Sequence, residues 1–298
     1  MADRSESRFL EVDGYRIYVR SFGAKRAPRT LLCVHGGPGG NHDYLLPLAD
    51  LAGAGTRVVF YDALGCGRSD LPEDRARFTL DHDLLVLDSV RASLGVDRVH
   101  LMGSSYGGLL ALAYATRRSD SLASLNATGG LADVPFARRE MQRLVRALPT
   151  ATRATLRRYG RRGEFYHPAY EAAMAVFYRR HVCRLWPWPA EVHDSLLRIS
   201  RPVYETMNGP NEFTIVGRIR SIDFVSYLHR IRVPTLLVHG RYDEVTPAVG
   251  ARMQREIPGA VLRLFPKSSH LSFWEERAAY RALATAFLDT AERAAHAA

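Results

Sequence analysis

The stretch RVHLMGSSYGGLLALAYATRR, residues 98–118, packs a strand, a bend and a helix into one short segment. Residues 98–105 read as a short apolar strand that runs into glycine. Residues 106–118 are apolar nearly all round, which predicts a buried helix. The bend between them is Gly103-x-Ser105-x-Gly107. A chain that turns sharply from strand to helix forces the residue at the bend into a strained conformation, and bulky neighbours would clash. The glycines answer that steric demand. The Ser105 hydroxyl then projects above the strand ends, over the helix N-terminus, which makes it a candidate nucleophile.

A serine hydroxyl is a poor nucleophile without a base. On a strand–serine–helix bend the partners follow in the order Ser, acid, His. HGRYDEVTP offers Asp243, which stands 138 residues after the serine, and FPKSSHLSFWE offers His270, 27 residues further on. Both lie just past the ends of apparent strands, where open α/β sheets hold their sites. His239 falls within an apolar strand pattern and reads as a core histidine; His229 is the other competitor. HGGPGG (35–40) ends the first parallel strand. Its glycines let a backbone N–H reach a reacting carbonyl. Gly37 and Tyr106, the residue after the serine, are the expected oxyanion donors. Losing one such donor typically costs about 3–4 kcal/mol of barrier.

Working outward, FLEVDGYRIYVRSFG (9–23) predicts a β-hairpin turning at Asp13-Gly14. TLLCVHG (30–36), TRVVFYD (56–62), VPTLLVHG and AVLRLFP (260–266) read as buried strands. NHDYLLPLADLAGAG has helical spacing. Thr79 is a candidate N-cap for a helix over 79–96, with AVGARMQREIPG as a further helix and a terminal helix from about Glu275. Strand–helix alternation pauses after about Gly130. Residues 131–220 show helical periodicity in RREMQRLVRALP and AYEAAMAVFYRRHVCRL, interrupted by prolines, and no convincing strand. The expected architecture is a mostly parallel α/β sheet from residues 1–130 and 221–298, antiparallel at its early edge, with a helical cap at 131–220.

Composition bounds the function. The 298 residues are 47% hydrophobic and 24% charged, enough apolar material for a large core. The N-terminus has no signal-like apolar run, and no stretch approaches a membrane span. Cys33, Cys66 and Cys183 lack any metal-like spacing and read as reduced thiols of a cytoplasmic protein. The net charge is +10, and residues 131–220 hold sixteen Arg, no Lys and eight acidic residues. These arginines are scattered through amphipathic helices without a nucleic-acid motif, so they read as a solvated face. No H-E-x-x-H or Walker sequence is present, and no metal, cofactor, nucleic acid or membrane partner is expected. WPWP (186–189) reads as cap packing, and Asp62 in YDALGCGRSD as a structural hydrogen-bonding acid.

HGGPGG, YDALGCGRSD, GSSYGGLLALAYA, MNGPNEFT, YDEVTP and SHLSFWE together resemble the proline iminopeptidases of the α/β-hydrolase superfamily, most of all the tricorn-interacting aminopeptidase branch. The likeness runs from about residue 8 to the C-terminus; the pairing of HGGPGG with NGPNEFT is its most specific part. The resemblance implies a serine peptidase that removes one N-terminal residue, often proline, from short peptides. It also implies that Glu212 and Glu244 hold the free amine of the substrate. Glu244 adjoins Asp243, and adjacent Cα atoms are about 3.8 Å apart, so it lies near the catalytic centre. Two carboxylates facing one ammonium would fix how far the chain reaches past the serine, giving one-residue trimming. The same triad also suits an esterase, amidase or acyltransferase acting on a small-molecule ester or amide.

Overall fold

The computed structural model describes residues 5–53 and 55–297, and side chains through residue 294. The first four residues, with which the N-terminal stretch read above begins, lie outside the described residues.

Strands β1 (Ser5–Val12) and β2 (Tyr15–Phe22) form the antiparallel hairpin. Asp13 at φ 50° and Gly14 at φ 81° make its two-residue turn, the conformation that Asp-Gly favours. The sheet continues through β3 (Arg29–Val34), β4 (Thr56–Tyr61), β5 (Val99–Ser104), β6 (Leu122–Thr128), β7 (Thr235–Gly240) and β8 (Val261–Phe265). The spatial order is β1-β2-β4-β3-β5-β6-β7-β8. From β4 to β8 every pairing is parallel. The strand β6, LASLNAT, was not read from sequence. Its Ala, Ser and Asn carry low strand propensity. Its place between two parallel strands, covered on both faces, outweighs that preference.

Side-chain alternation divides the core in two. Leu32, Val34, Val59 and Tyr61 face one layer with helices α1 (Leu80–Ala92), α2 (Tyr106–Arg118) and, later in the chain, Pro247–Glu256. Leu31, Cys33, Val58 and Phe60 face the other, with the 3₁₀ helix His42–Leu51 and the C-terminal helix. Strands covered on both sides explain why the sequence shows continuous apolar runs rather than alternation. The Thr79 hydroxyl accepts the His82 N–H at 3.1 Å, capping α1. Asp62 is fully buried and accepts from the His42 N–H, the His42 ring Nδ1 and the Arg68 N–H at 2.8–2.9 Å. It clamps two loops to the end of β4.

Between β6 and β7 the chain leaves the sheet for α3 (Val134–Arg146), α4 (Thr150–Gly160), α5 (Pro168–His181), α6 (Ala190–Leu197) and α7 (Arg201–Met207). The two ends of this excursion lie side by side. The Val134 N–H donates to Ile222 at 2.9 Å and the Phe224 N–H to Ala132 at 3.0 Å. The chain then returns to β7, α8 (Pro247–Glu256), β8, α9 (Ser272–Glu275) and α10 (Arg277–Ala297). Arg252 of α8 pairs with Asp133 at 3.0 Å, tying the start of the excursion to the sheet layer. The two tryptophans of WPWP part company. Trp188 packs inward and donates to the Cys183 carbonyl at 3.0 Å. Trp186 is 73% exposed, with Arg179 over its ring, so the packing expectation does not hold for it. No helix among the described residues is long and apolar enough to cross a membrane.

Candidate active site

Ser105 sits at φ 58°, ψ −124°, the strained bend between β5 and α2. Its N–H donates to Thr128 at the end of β6, at 2.9 Å. The flanking glycines are sterically required. A Cβ on Gly103 would strike the carbonyl of Gly107, and one on Gly107 would strike the carbonyl of Val34. A Cβ on Gly36 would lie 2.7 Å from that of Ser105. Gly37 holds φ 118°, open only to glycine at low cost. The Tyr44 hydroxyl accepts the neighbouring Gly36 N–H at 2.7 Å and pins this loop beside the serine. Tyr106 is the first residue of α2, so its N–H has no partner within the helix.

Asp243 follows β7 and His270 follows β8. The imidazole Nδ1–H donates to the Asp243 carboxylate at 2.6 Å, and a second bond comes from the Val245 N–H at 2.9 Å. This fixes the ring with Nε2 outward, buried and without a protein partner. Ser105 and His270 line one cavity of about 580 Å³ together with Gly37, Glu212 and Glu244. His239 is fully buried and bonds Val245 through Nδ1 at 2.8 Å, as a core histidine does. His229 lies on the surface, bonded to its own turn at Ser226.

The cap supplies the roof. NGPNEFT forms a tight loop after α7. Gly209 holds φ 137°, Asn208 donates to Asn211 at 2.9 Å, and Asn211 donates to the Tyr170 hydroxyl at 2.8 Å. Those bonds hold the loop that places Glu212 in the wall of the cavity lined by Ser105. Glu244 enters from below, only 3% exposed, with Oε1 3.8 Å from His270 Nε2 and Oε2 unpartnered. Burial raises the pKa of Glu212, against the opposing pull of Tyr204 and His270. Burial raises Glu244 well above the usual carboxylate range, and the charge of Glu212 adds to it. Burial alone would lower the His270 pKa, but Asp243, Glu244 and Glu212 outweigh it and bring it up to about 9. The pocket therefore gathers carboxylates whose ionised forms an incoming cation would stabilise.

Two further features escaped sequence reasoning. Gly129 ends β6 at φ 57°, and a Cβ there would sit 2.7 Å from His270 Nδ1. Its signal was the Gly129-Gly130 pair, whose meaning needed β6 to be recognised. The carbonyl of His181, at the end of α5, accepts both the Glu244 N–H at 3.1 Å and the His270 N–H at 3.2 Å. One peptide group of the cap thus holds both catalytic loops, and no side-chain pattern could announce it.

Known proteins share this arrangement of sheet and cap. The sequence profile of the alpha/beta hydrolase fold matches residues 29–277. A proline iminopeptidase of Saccharolobus solfataricus is 43% identical over 286 residues, covering 95% of this chain and 92% of that one. One from Thermoplasma volcanium is also 43% identical, over 96% and 97% of the two chains. The crystal structure of a proline iminopeptidase from Mycobacterium smegmatis superposes with a TM-score of 0.90 at 34% identity, covering 97% of this chain and all of that one. The crystal structure of VinJ gives 0.92 at 34% identity, over 96% and 98% of the two chains. With near-complete coverage from both directions, the chain belongs to the proline iminopeptidase family of the α/β-hydrolases.

Proposed function

We propose that the protein is a serine aminopeptidase that frees one N-terminal residue, proline or another small hydrophobic residue, from short peptides. The observation that carries this reading is the pair of carboxylates, buried Glu244 and half-buried Glu212, lining the cavity of Ser105 with no Lys or Arg among its described lining residues. Such a site is complementary to a substrate ammonium. Ser105 is the nucleophile, His270 the base and Asp243 the group that orients the imidazolium. Gly37 and Tyr106 donate their N–H groups to the oxyanion. His270 then protonates the departing amine, and water, activated by the same ring, releases the amino acid from the acyl-enzyme.

A second, smaller cavity opens from the same Ser105, Glu212 and Glu244. Leu109, Leu131, Met141, Ile215 and Val245 are among its walls. With the amine held at the two glutamates, the first residue's side chain falls there, into an aliphatic pocket. Residues 131–220 act as the cap that closes the site. The unpaired, buried Cys33, Cys66 and Cys183 fit a reducing, cytoplasmic setting.

The test is a set of free and N-acetylated aminoacyl arylamides. Free prolyl and alanyl substrates should turn over and their acetylated forms should be rejected by at least about 30-fold, as expected when one side of a buried charge pair is missing. Equal rates on free and blocked substrates would end the reading.

A further inference from the structure

Ser105 stands where the two cavities meet, and the chemistry assigns each a half of the substrate. The acyl half keeps its amine on Glu212 and Glu244. The departing half must lie beside His270, whose Nε2 supplies its proton. Only the larger cavity contains His270. Beyond the serine its walls are Val182, Val192, Leu196, Ile199 and Leu271, with hydroxyls from Tyr44 and Ser195. Ser195 donates its proton to Asn41 at 2.9 Å, and the Tyr44 oxygen accepts from Gly36 at 2.7 Å. Among the described residues that line it, the charged or titratable groups besides Tyr44 are Glu212, Glu244 and His270, all of them at the serine end.

The cap is rich in arginine, yet no arginine is among this cavity's described lining residues; those next to its walls in sequence have other partners, Arg201 in an adjoining cavity. Arg184 lies over the Tyr242 ring at 3.9 Å. Arg198 reaches Asp43 at 3.4 Å on the half-exposed outer side of α6. Arg201 covers the Tyr166 ring at 4.3 Å. A dipeptide would carry its C-terminal carboxylate one residue past the scissile bond, against the aliphatic wall. That anion would lose water without gaining a cationic partner.

We propose that the leaving-group side of the site selects for uncharged, apolar groups: substrates whose second residue is aliphatic and whose next carboxylate is capped or several residues away, in preference to free dipeptide acids. Leu196, at the centre of that wall, is the specificity-determining residue. This rests on the aminopeptidase reading above.

The experiment compares kcat/KM for Pro-Leu, Pro-Leu-NH2 and the free acid Pro-Leu-Gly-Gly on the intact protein, with N-acetyl-Pro-Leu-NH2 alongside. The amide should exceed the dipeptide acid by at least about tenfold. Pro-Leu-Gly-Gly, with its carboxylate moved outward, should come within about threefold of the amide. In Leu196→Arg the amide-to-acid ratio should shrink because the acid improves; intrinsic leaving-group reactivity is the same in both proteins and drops out. A dipeptide acid cleaved as well as its amide overturns the proposal, as does Pro-Leu-Gly-Gly remaining as slow as Pro-Leu. Both of these are wild-type measurements, so they decide even if the arginine variant does not fold. A ratio unchanged in a folded Leu196→Arg protein overturns the role of Leu196. Failure of the aminopeptidase reading looks different: the acetylated amide is cleaved as fast as the free one, or no prolyl substrate is cleaved at all.

Discussion

The floor and the roof of this site are built on different principles. The floor is the row of loops at the strand ends: Gly36-Gly37 after β3, Ser105 after β5, Gly129 after β6, Asp243 after β7 and His270 after β8. Backbone sterics shape the glycine bends, and Ser105 and Gly129 bond the neighbouring strand ends at Thr128 and Val238. The roof is the helical excursion, in which amphipathic helices and one tight loop deliver Glu212. On the proposed reading, the floor supplies what any acyl transfer needs and the roof determines which molecule is presented to it. Stated that way, the division predicts that damage to the floor harms every substrate alike. Damage to the roof should harm only substrates with a free amine.

The largest effect tests the floor. Ser105→Ala should reduce kcat by about 10⁴-fold or more on free and blocked substrates together, with the thermal midpoint changed little because no cavity or unpaired charge is created. Residual cleavage of esters at wild-type rates would show that the nucleophile lies elsewhere. Glu212→Gln comes next and tests the roof. It removes one partner of a desolvated charge pair, worth about 2–5 kcal/mol, so kcat/KM on free-amine substrates should fall roughly 30- to several thousand-fold. Whatever slow turnover exists on N-acetylated substrates should stay within about threefold of wild type. A uniform loss on both would mean that the roof also shapes the chemistry, and the division would blur.

Gly129→Ala is a smaller wound to the floor. The new Cβ meets the His270 ring and forces a left-handed conformation on alanine, costing about 1–2 kcal/mol of stability. A ring displaced by a fraction of an ångström should lower kcat by about 10²-fold and leave KM nearly unchanged. Steady-state kinetics on one free-amine arylamide suffices. A change in KM alone would place Gly129 in substrate binding rather than in alignment of the base.

The same division explains what the sequence could and could not disclose. The bend at Ser105 was legible because hard-sphere contacts there allow few residues, and the motif records those exclusions. Asp243 and His270 were legible because each follows a continuous apolar strand. The strand β6 was not, since LASLNAT reads as polar and small until its two neighbours are in place. Gly129 was lost with it. In the roof, the glutamate of NGPNEFT was identified only through resemblance. The bonds that hold its loop, from Asn208, Asn211 and Tyr170, carry no periodicity. The His181 carbonyl is invisible in principle, because every residue type has one.

That carbonyl also shows that floor and roof are not independent, and the smallest predicted effect measures their coupling. Glu244 is held to His181 through its N–H, and its carboxylate lies 3.8 Å from His270 Nε2. Against the pull of burial, Asp243, Glu244 and Glu212 bring the His270 pKa up to about 9, favouring the imidazolium. In the proposed binding mode, a substrate ammonium on Glu212 and Glu244 would cancel the field that favours the imidazolium. Binding therefore lowers the His270 pKa and frees the base when it is needed. Neutralising either glutamate by mutation should act in the same sense: the acid limb of kcat/KM, which reports the free enzyme, should move to lower pH in Glu212→Gln and in Glu244→Gln. The displacement should be on the order of one pH unit and belongs to the coupled set of groups rather than to His270 alone. An acid limb that stays in place, or moves up, would mean that the roof carboxylates do not reach the base. The selectivity of the site would then arise without any electrostatic link to its chemistry.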